Sequence, residues 1–358
     1  MLDPTLFARP WEIPELTSMN RLRGRADLVP YPTAAAALSR DPKRSKWYLS
    51  LDGKWAVSFH EKVEQVKAAE VADKADTAKW PKVDVPGDLC TQGFSHPHYT
   101  NVQMPFKNDP PRVPDDNPCA VLRTSFVLPK GWKERRTVLH VGAAESQAWY
   151  YVNGALVGMS TDSKLPSEFD LSKFVREGRN ELAVLCVRWS AQSYVEDQDH
   201  WMELGIHRSV YLYSQGPLHV GDVTVRAGWD WRAKKPAGTL WIRLKADHSS
   251  PPDVHAWDPK KIDDPHNDWS FDAQLFDAKG RPVPGAKLSS ARSPTTGART
   301  SARPWSRRAC RASRRGAPRC RTSTRSSSRS ATSRARSSSA SRSASASATS
   351  ASPGASCW

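Results

Sequence analysis

The sequence predicts an all-β protein made of β-sandwiches, and three observations carry the prediction. Short blocks rich in β-branched, aromatic and other apolar residues recur along the chain, among them Val121–Leu128, Thr137–Val141, Gln147–Val152 and Glu181–Val187. Turn signals separate them roughly every 8–12 residues, the spacing of a sandwich rather than of strand–helix units. Asn153-Gly154, between Gln147–Val152 and Ala155–Met159, is the pair that a type I′ hairpin turn requires.

Taken in order, residues 1–45 are irregular and proline-bearing, an N-terminal arm with an amphipathic candidate only at Tyr31–Ser39. Tyr48–His60 alternates about Asp52-Gly53 and reads as an opening hairpin. Residues 61–80, rich in Ala, Glu, Lys and Val, predict one short surface helix. Strands and turns then continue, so residues 46–215 form a jelly-roll-like sandwich with enough Val, Leu, Trp and Phe for a sizeable core.

Pro217 opens a second β unit with His219–Arg226, Thr239–Lys245, Trp269–Phe276 and a turn at Lys279-Gly280. Residues 216–290 thus make part of an immunoglobulin-like sandwich. It stops after three or four strands where about seven are usual, so this domain is incomplete.

Composition changes abruptly at residue 291. The chain has 358 residues and a formal net charge of +16, but residues 291–358 hold 15 arginines, no lysine and no acid. Subtraction leaves 53 − 15 = 38 basic residues against 37 acids in the rest. The near-neutral body therefore gives no sign of an anionic partner. From Ala291 to Trp358 only Ala, Arg, Ser, Pro, Thr, Gly, Cys and Trp occur. All of these have codons with C or G at the second position, the alphabet that a shifted frame gives in a G+C-rich gene. We read a reading-frame change near Leu288–Ala291 and a tail too poor in apolar residues to fold. The rival is a genuine Arg/Ser-rich, disordered tail that binds phosphates.

Cys90, Cys119 and Cys186 are widely spaced, odd in number and without zinc-site spacing, which implies free thiols in a reducing compartment. The N-terminus lacks the basic and apolar regions of a secretory signal, and no apolar run is long enough to span a membrane. The expected location is cytoplasmic.

The candidate site lies in Arg188–Arg208, a long connection between Glu181–Val187 and Ser209–Tyr213. It places Glu196, Asp197 and Asp199 among Trp189, Tyr194 and Trp201. Carboxylates beside aromatic faces suit a sugar, whose hydroxyls donate to the acids while its C–H face covers a ring. On residue types alone, a structural loop with solvated acids is the better reading.

The run Ser193-Tyr-Val-Glu-Asp-Gln-Asp-His-Trp-Met-Glu-Leu-Gly-Ile-His-Arg208 resembles the S-Y-x-E-D-Q-D-x-W-x-x-x-G-I-x-R block of family 2 glycoside hydrolases of the β-galactosidase type. Other blocks agree: Trp11–Leu22 with their N-terminal arm, Leu51/Gly53/Trp55 with L-x-G-x-W, Tyr99-Thr-Asn-Val102 with Y-T-N-V, and Asp162–Asp170 with D-S-R-x-P-S-E-F-D, Lys164 standing for Arg. One departure is Asp88-Leu-Cys-Thr-Gln92, where many relatives carry Asn-Trp-Gln.

The resemblance implies a galactose-binding-like jelly roll followed by an immunoglobulin-like domain. It makes Asn101 a sugar-contacting amide, although by residue type alone Asn101 is a turn cap. It makes Asp199 a ligand of the sugar and of a sodium ion. Glu196 and Asp197 are expected to hold the loop, and Glu168 and Asp170 to be structural. In the family both catalytic glutamates and the magnesium ligands lie in a (β/α)₈ barrel that would follow. The chain is therefore expected to have no catalytic residues, to be inactive alone, and to bind neither Na⁺ nor Mg²⁺ stably. The expected partner is a β-galactoside, with a family-type homo-oligomer open, no membrane, and nucleic acid only through the rival reading of the tail. Glucuronidase or mannosidase activity fits the E-D-Q-D and Y-T-N-V blocks less well.

Overall fold

The computed structural model describes residues 9–101, 103–196, 198–230, 232, 237–248, 269–289, 299–301, 321–328 and 347–350. The chain divides into two compact units, residues 1–24 with 49–213 and residues 25–48 with 214–358.

The first unit is a sandwich of two antiparallel sheets. One has seven strands in the order Ser18–Met19, Ala155–Ser160, Gln147–Val152, Gly178–Val187, Cys119–Leu128, Gly53–His60, Lys82–Val85. The other runs Ser167–Asp170, Arg136–Glu145, Gly205–Gln215, Tyr48–Ser50, with Gly87–Asp88 also on Gly205–Gln215. The local signals behave as their chemistry requires. Asn153 and Gly154 have φ of 51° and 79°, the two positive values of a type I′ turn, and Val152 faces Ala155 across it. Trp149, Tyr151, Leu185 and Val187 meet Val121 and Trp189 in one buried cluster. Full burial of such side chains contributes about 1.5–3 kcal/mol each.

Three expectations change. Asp52-Gly53 does not close a hairpin, because the strands on either side join different sheets. Leu51 donates to the Val210 carbonyl and the Asp52 carboxylate accepts from the Val210 amide at 2.7 Å, so the chain turns a corner between sheets. The helix expected over 61–80 is a 3₁₀ turn, Val63–Gln65, and one helical turn, Ala68–Val71; Val63 and Val71 are buried rather than solvated. The arm is not loose on its own unit. Trp11 is buried, Ser18–Met19 pairs with Met159–Ser160, and the Asn20 amide donates to the Val157 carbonyl.

The second unit takes in residues 25–48, which the sequence reading assigned to the arm and the jelly roll. Leu218–Asp230 pairs with Ala237–His248, and Arg299–Ser301 follows at the edge of that sheet. A second sheet runs Pro282–Ser289, Trp269–Phe276, Arg321–Ser328, Ser347–Ser350, Leu28–Tyr31. Leu28, Val223, Ile242, Leu244 and Ala273 form the core between them. Much of the tail lies outside the described residues, as do residues 249–268. Where composition predicts an unstructured tail, its described pieces are strands. The open edges of the two sheets offer unpaired backbone groups, and Ser/Thr/Arg segments can pair with them through the main chain alone.

Candidate functional site

Arg188 begins the site. Its guanidinium is buried and donates to Ser95 Oγ, to the His96 carbonyl, to His98 Nδ1 at 2.9 Å and to the Met202 carbonyl at 3.2 Å. One side chain thereby ties the segment leading into His98–Thr100 to the strand His200–Met202. These two strands pair as a short antiparallel ribbon, Met202 opposite His98, Trp201 opposite Tyr99 and His200 opposite Thr100. Burial lowers the Arg188 pKa, while Asp88 and Glu145 act to hold the charge. The guanidinium also lies 4.8 Å from the Trp189 ring centroid.

Alternation along the ribbon decides which side chains face outward. Met202 is buried and His98 meets Trp189 edge-on with centroids 5.7 Å apart, so that face packs inward. Tyr99 and Trp201 are on the other face, 53% and 56% exposed. Asn101 and Asp199 each lie one residue beyond the paired strands, at the same end of the ribbon, and both are exposed. The Tyr99 hydroxyl donates to the Asp199 carboxylate. That bond raises the Tyr99 pKa, because losing the proton would set two anions side by side.

The structure brings the segments that carry Asn101 and Asp199, far apart in sequence, side by side, and sets Tyr99 against Trp201. Trp201 was among the loop aromatics named from sequence, whereas Tyr99 was named only within the Y-T-N-V block. The signal for the pair was there: each aromatic lies two residues from a proposed sugar ligand, the period of a strand. Of the three loop aromatics only Trp201 is available to a ligand. Trp189 is 5% exposed and held by Asn117, whose amide donates to its carbonyl at 2.8 Å and accepts from its amide at 2.9 Å. Tyr194 packs edge-on against Phe106 and donates to the Arg112 carbonyl.

The other acids are held in place. Glu196 accepts from the Ser163 amide at 2.9 Å, and burial raises its pKa. Asp197 lies outside the described residues. Glu168 pairs with His140 Nδ1 at 3.0 Å, and Asp170 accepts from Arg136 and Ser172. Glu145 and Glu203 are bridged by Lys164, at 2.5 and 3.1 Å, with His207 beside both. Burial acts to lower the Lys164 pKa, but the two carboxylates outweigh it and the pKa is raised. Both acids are thus engaged by one ammonium. Ser58 and His60 both bond Glu70. His60 uses Nε2 toward Glu70 and toward Ser58 alike, which is not the relay order of a nucleophilic triad.

Asp199 fits a sodium ion only as a single carboxylate ligand with one oxygen already engaged by Tyr99. A hard cation needs several oxygens around it. Among the described residues, the group whose ligand atoms lie close enough to share a metal is Glu145, Glu203 and His207, which does not include Asp199.

Residues 48–216 match the family model described as glycosyl hydrolases family 2, sugar binding domain. Those residues form a sugar binding domain of the glycosyl hydrolase family 2 type. The chain is 35% identical to a β-galactosidase of Psychromonas ingrahamii over 276 residues, 77% of this chain and 25% of that protein. With a β-galactosidase of Priestia megaterium it shares 37% identity over 222 residues, 61% of this chain and 22% of that protein. The chain thus spans about a quarter of the length of these curated relatives. In fold it resembles a Bacteroides uniformis β-glucuronidase, with TM-score 0.56 and 17% identity over 79% of this chain and 30% of that one. No helix among the described residues is long and apolar enough to cross a membrane.

Proposed function

We propose that this chain is the sugar-binding part of a β-galactosidase and that its ribbon holds the galactosyl unit of a β-galactoside through Asn101 and Asp199. The observation that carries the reading is the outer face of the ribbon, which exposes Tyr99 and Trp201, holds Asp199 through the Tyr99 hydroxyl and ends at Asn101. An amide can donate to one hydroxyl and accept from its neighbour, while a carboxylate accepts from two, a set suited to a hexose. The similarity to curated β-galactosidases supports the galactoside over other sugars.

Hydrolysis with retention needs two carboxylic acids about 5 Å apart, one of them able to give a proton. Glu168, Asp170, Glu145 and Glu203 are each engaged with a basic partner. We therefore assign this chain binding without turnover, and to Asp199 no stable sodium or magnesium site of its own.

Calorimetric titration of the full chain with methyl β-galactoside tests the reading. Asn101→Ala and Asp199→Asn should each weaken binding at least about fivefold, the loss expected for a hydrogen bond to a neutral or charged partner. Unchanged affinity in both variants would sink it. Release of chromophore from a β-galactoside by the chain itself would overturn the assignment of no turnover and direct mutagenesis to Glu168, Asp170 and Glu196.

A further inference from the structure

We propose that Glu145, Glu203 and His207 form a binding site for a divalent metal ion of the zinc class, with Lys164 as the cation that the metal displaces. The site lies within the first unit and does not depend on the assignment of Asn101 and Asp199.

Convergence is the first observation. Glu145 ends the strand Arg136–Glu145, Glu203 follows the ribbon strand His200–Met202, and His207 lies in Gly205–Gln215. The ligand atoms of the three all lie within 4.8 Å of one another. His207 Nδ1 is 3.4 Å from Glu203 Oε2, and His207 Nε2 is 3.8 Å from Glu145 Oε2. Ligands of a tetrahedral zinc ion stand about 3.3–3.6 Å apart, given bonds of about 2.0–2.2 Å. The Glu203 side chain, 32% exposed, has the freedom to close the difference.

An orphaned nitrogen is the second. His207 Nε2 is buried and has no hydrogen-bond partner. Such an atom carries a desolvation cost, and a metal ion on its lone pair removes that cost. Glu145 is already aimed at the same place. Its Oε1 accepts from the Glu203 amide at 2.9 Å, which leaves Oε2 on the side of Lys164 and His207. A backbone donor of this kind is how proteins orient a ligating carboxylate.

Charge is the third. The Glu145 side chain is only 8% exposed, yet it shares one ammonium with Glu203. Two carboxylates and one ammonium sum to −2 + 1 = −1, and Arg188 and Asp88, which also act on this cluster, offset each other. A divalent ion in place of the ammonium brings the sum to zero, which suits a buried setting. Lys164 is 39% exposed on a flexible stem, so its head can turn out into water. One imidazole with two carboxylates selects zinc, cobalt or nickel over magnesium and calcium, which take oxygen sets.

The test titrates the full chain with zinc chloride and with magnesium chloride, by calorimetry and thermal melting. Glu203→Gln, His207→Gln and Lys164→Met are run beside it, with circular dichroism to check that each keeps its fold. The chain should bind one zinc ion with micromolar affinity and melt at a higher temperature with it, and magnesium should do neither. Glu203→Gln and His207→Gln should each weaken zinc binding at least about tenfold. Lys164→Met should tighten it, because no bound cation has to leave. Should Lys164→Met lose the fold, the two ligand variants decide alone. No zinc binding, or zinc affinity unchanged in Glu203→Gln and His207→Gln, overturns the site. Magnesium bound as tightly as zinc overturns the metal class, and a folded Lys164→Met with no gain in affinity overturns the displacement.

Discussion

The Tyr99 hydroxyl donates to the Asp199 carboxylate across the ribbon, joining two residues 100 positions apart in the sequence. The bond aims one carboxylate oxygen and leaves the other for a ligand. Tyr99→Phe should weaken methyl β-galactoside binding about twofold to fourfold while leaving the urea midpoint essentially unchanged, since the pair is at the surface. Calorimetry and urea denaturation on the same preparation check both halves. An affinity equal to that of the parent chain would show that Asp199 needs no such aim.

Arg188 is where the ribbon is anchored, and it is almost fully buried. Arg188→Met should cost about 2–4 kcal/mol in urea denaturation, because the His96 and Met202 carbonyls lose their donor inside the protein. Arg188→Lys should recover little, since a point ammonium cannot serve several acceptors in different directions. Full recovery by lysine would mean that charge, not the planar fork, holds the ribbon.

Gly205, the glycine of the G-I-x-R motif, has φ of +117°, and a Cβ there would lie 3.1 Å from Leu89 Cγ. Strain and crowding act together in Gly205→Ala, with an expected loss of about 1–3 kcal/mol. A thermal melt of the variant unchanged from the parent would contradict this.

Burial lowers the pKa of both His207 and His98 below the ordinary histidine value of 6.5. The unfolded chain therefore takes up protons first as pH falls. The stability contributed by these neutral imidazoles is fully present above about pH 6.5 and is lost as pH drops toward their folded values. Around His207 the facing groups are Glu145, Glu203, Lys164 and Asp88, and around His98 they are Arg188 and His96. Urea midpoints measured from pH 7.5 down to 5 should fall, and His207→Gln should flatten the profile. A midpoint that rises over that window would reverse the sign argued here.

Much of the architecture was legible in the sequence because its signals are local. Asn153-Gly154 can turn only one way between two strands, and the block Glu181–Val187 has no better state than a buried strand. Asn101 and Asp199 were named from motif residues, and neither periodicity nor spacing said that their segments pair. The Asp52-Gly53 corner misled for the same reason. A dipeptide specifies a turn, but Val210, far along the chain, decides whether the turn closes a hairpin or carries the strand into the other sheet.

By itself, then, the sequence determined an all-β sandwich and the motif residues that tie it to family 2, since side-chain alternation and turn chemistry act over a few residues. The tertiary structure decided the ribbon: which strand pairs with His98–Thr100, which of Trp189, Tyr194 and Trp201 faces water, and which buried cation holds the two strands together. Those depend on contacts between segments about a hundred residues apart, and no local preference encodes the partner of such a contact.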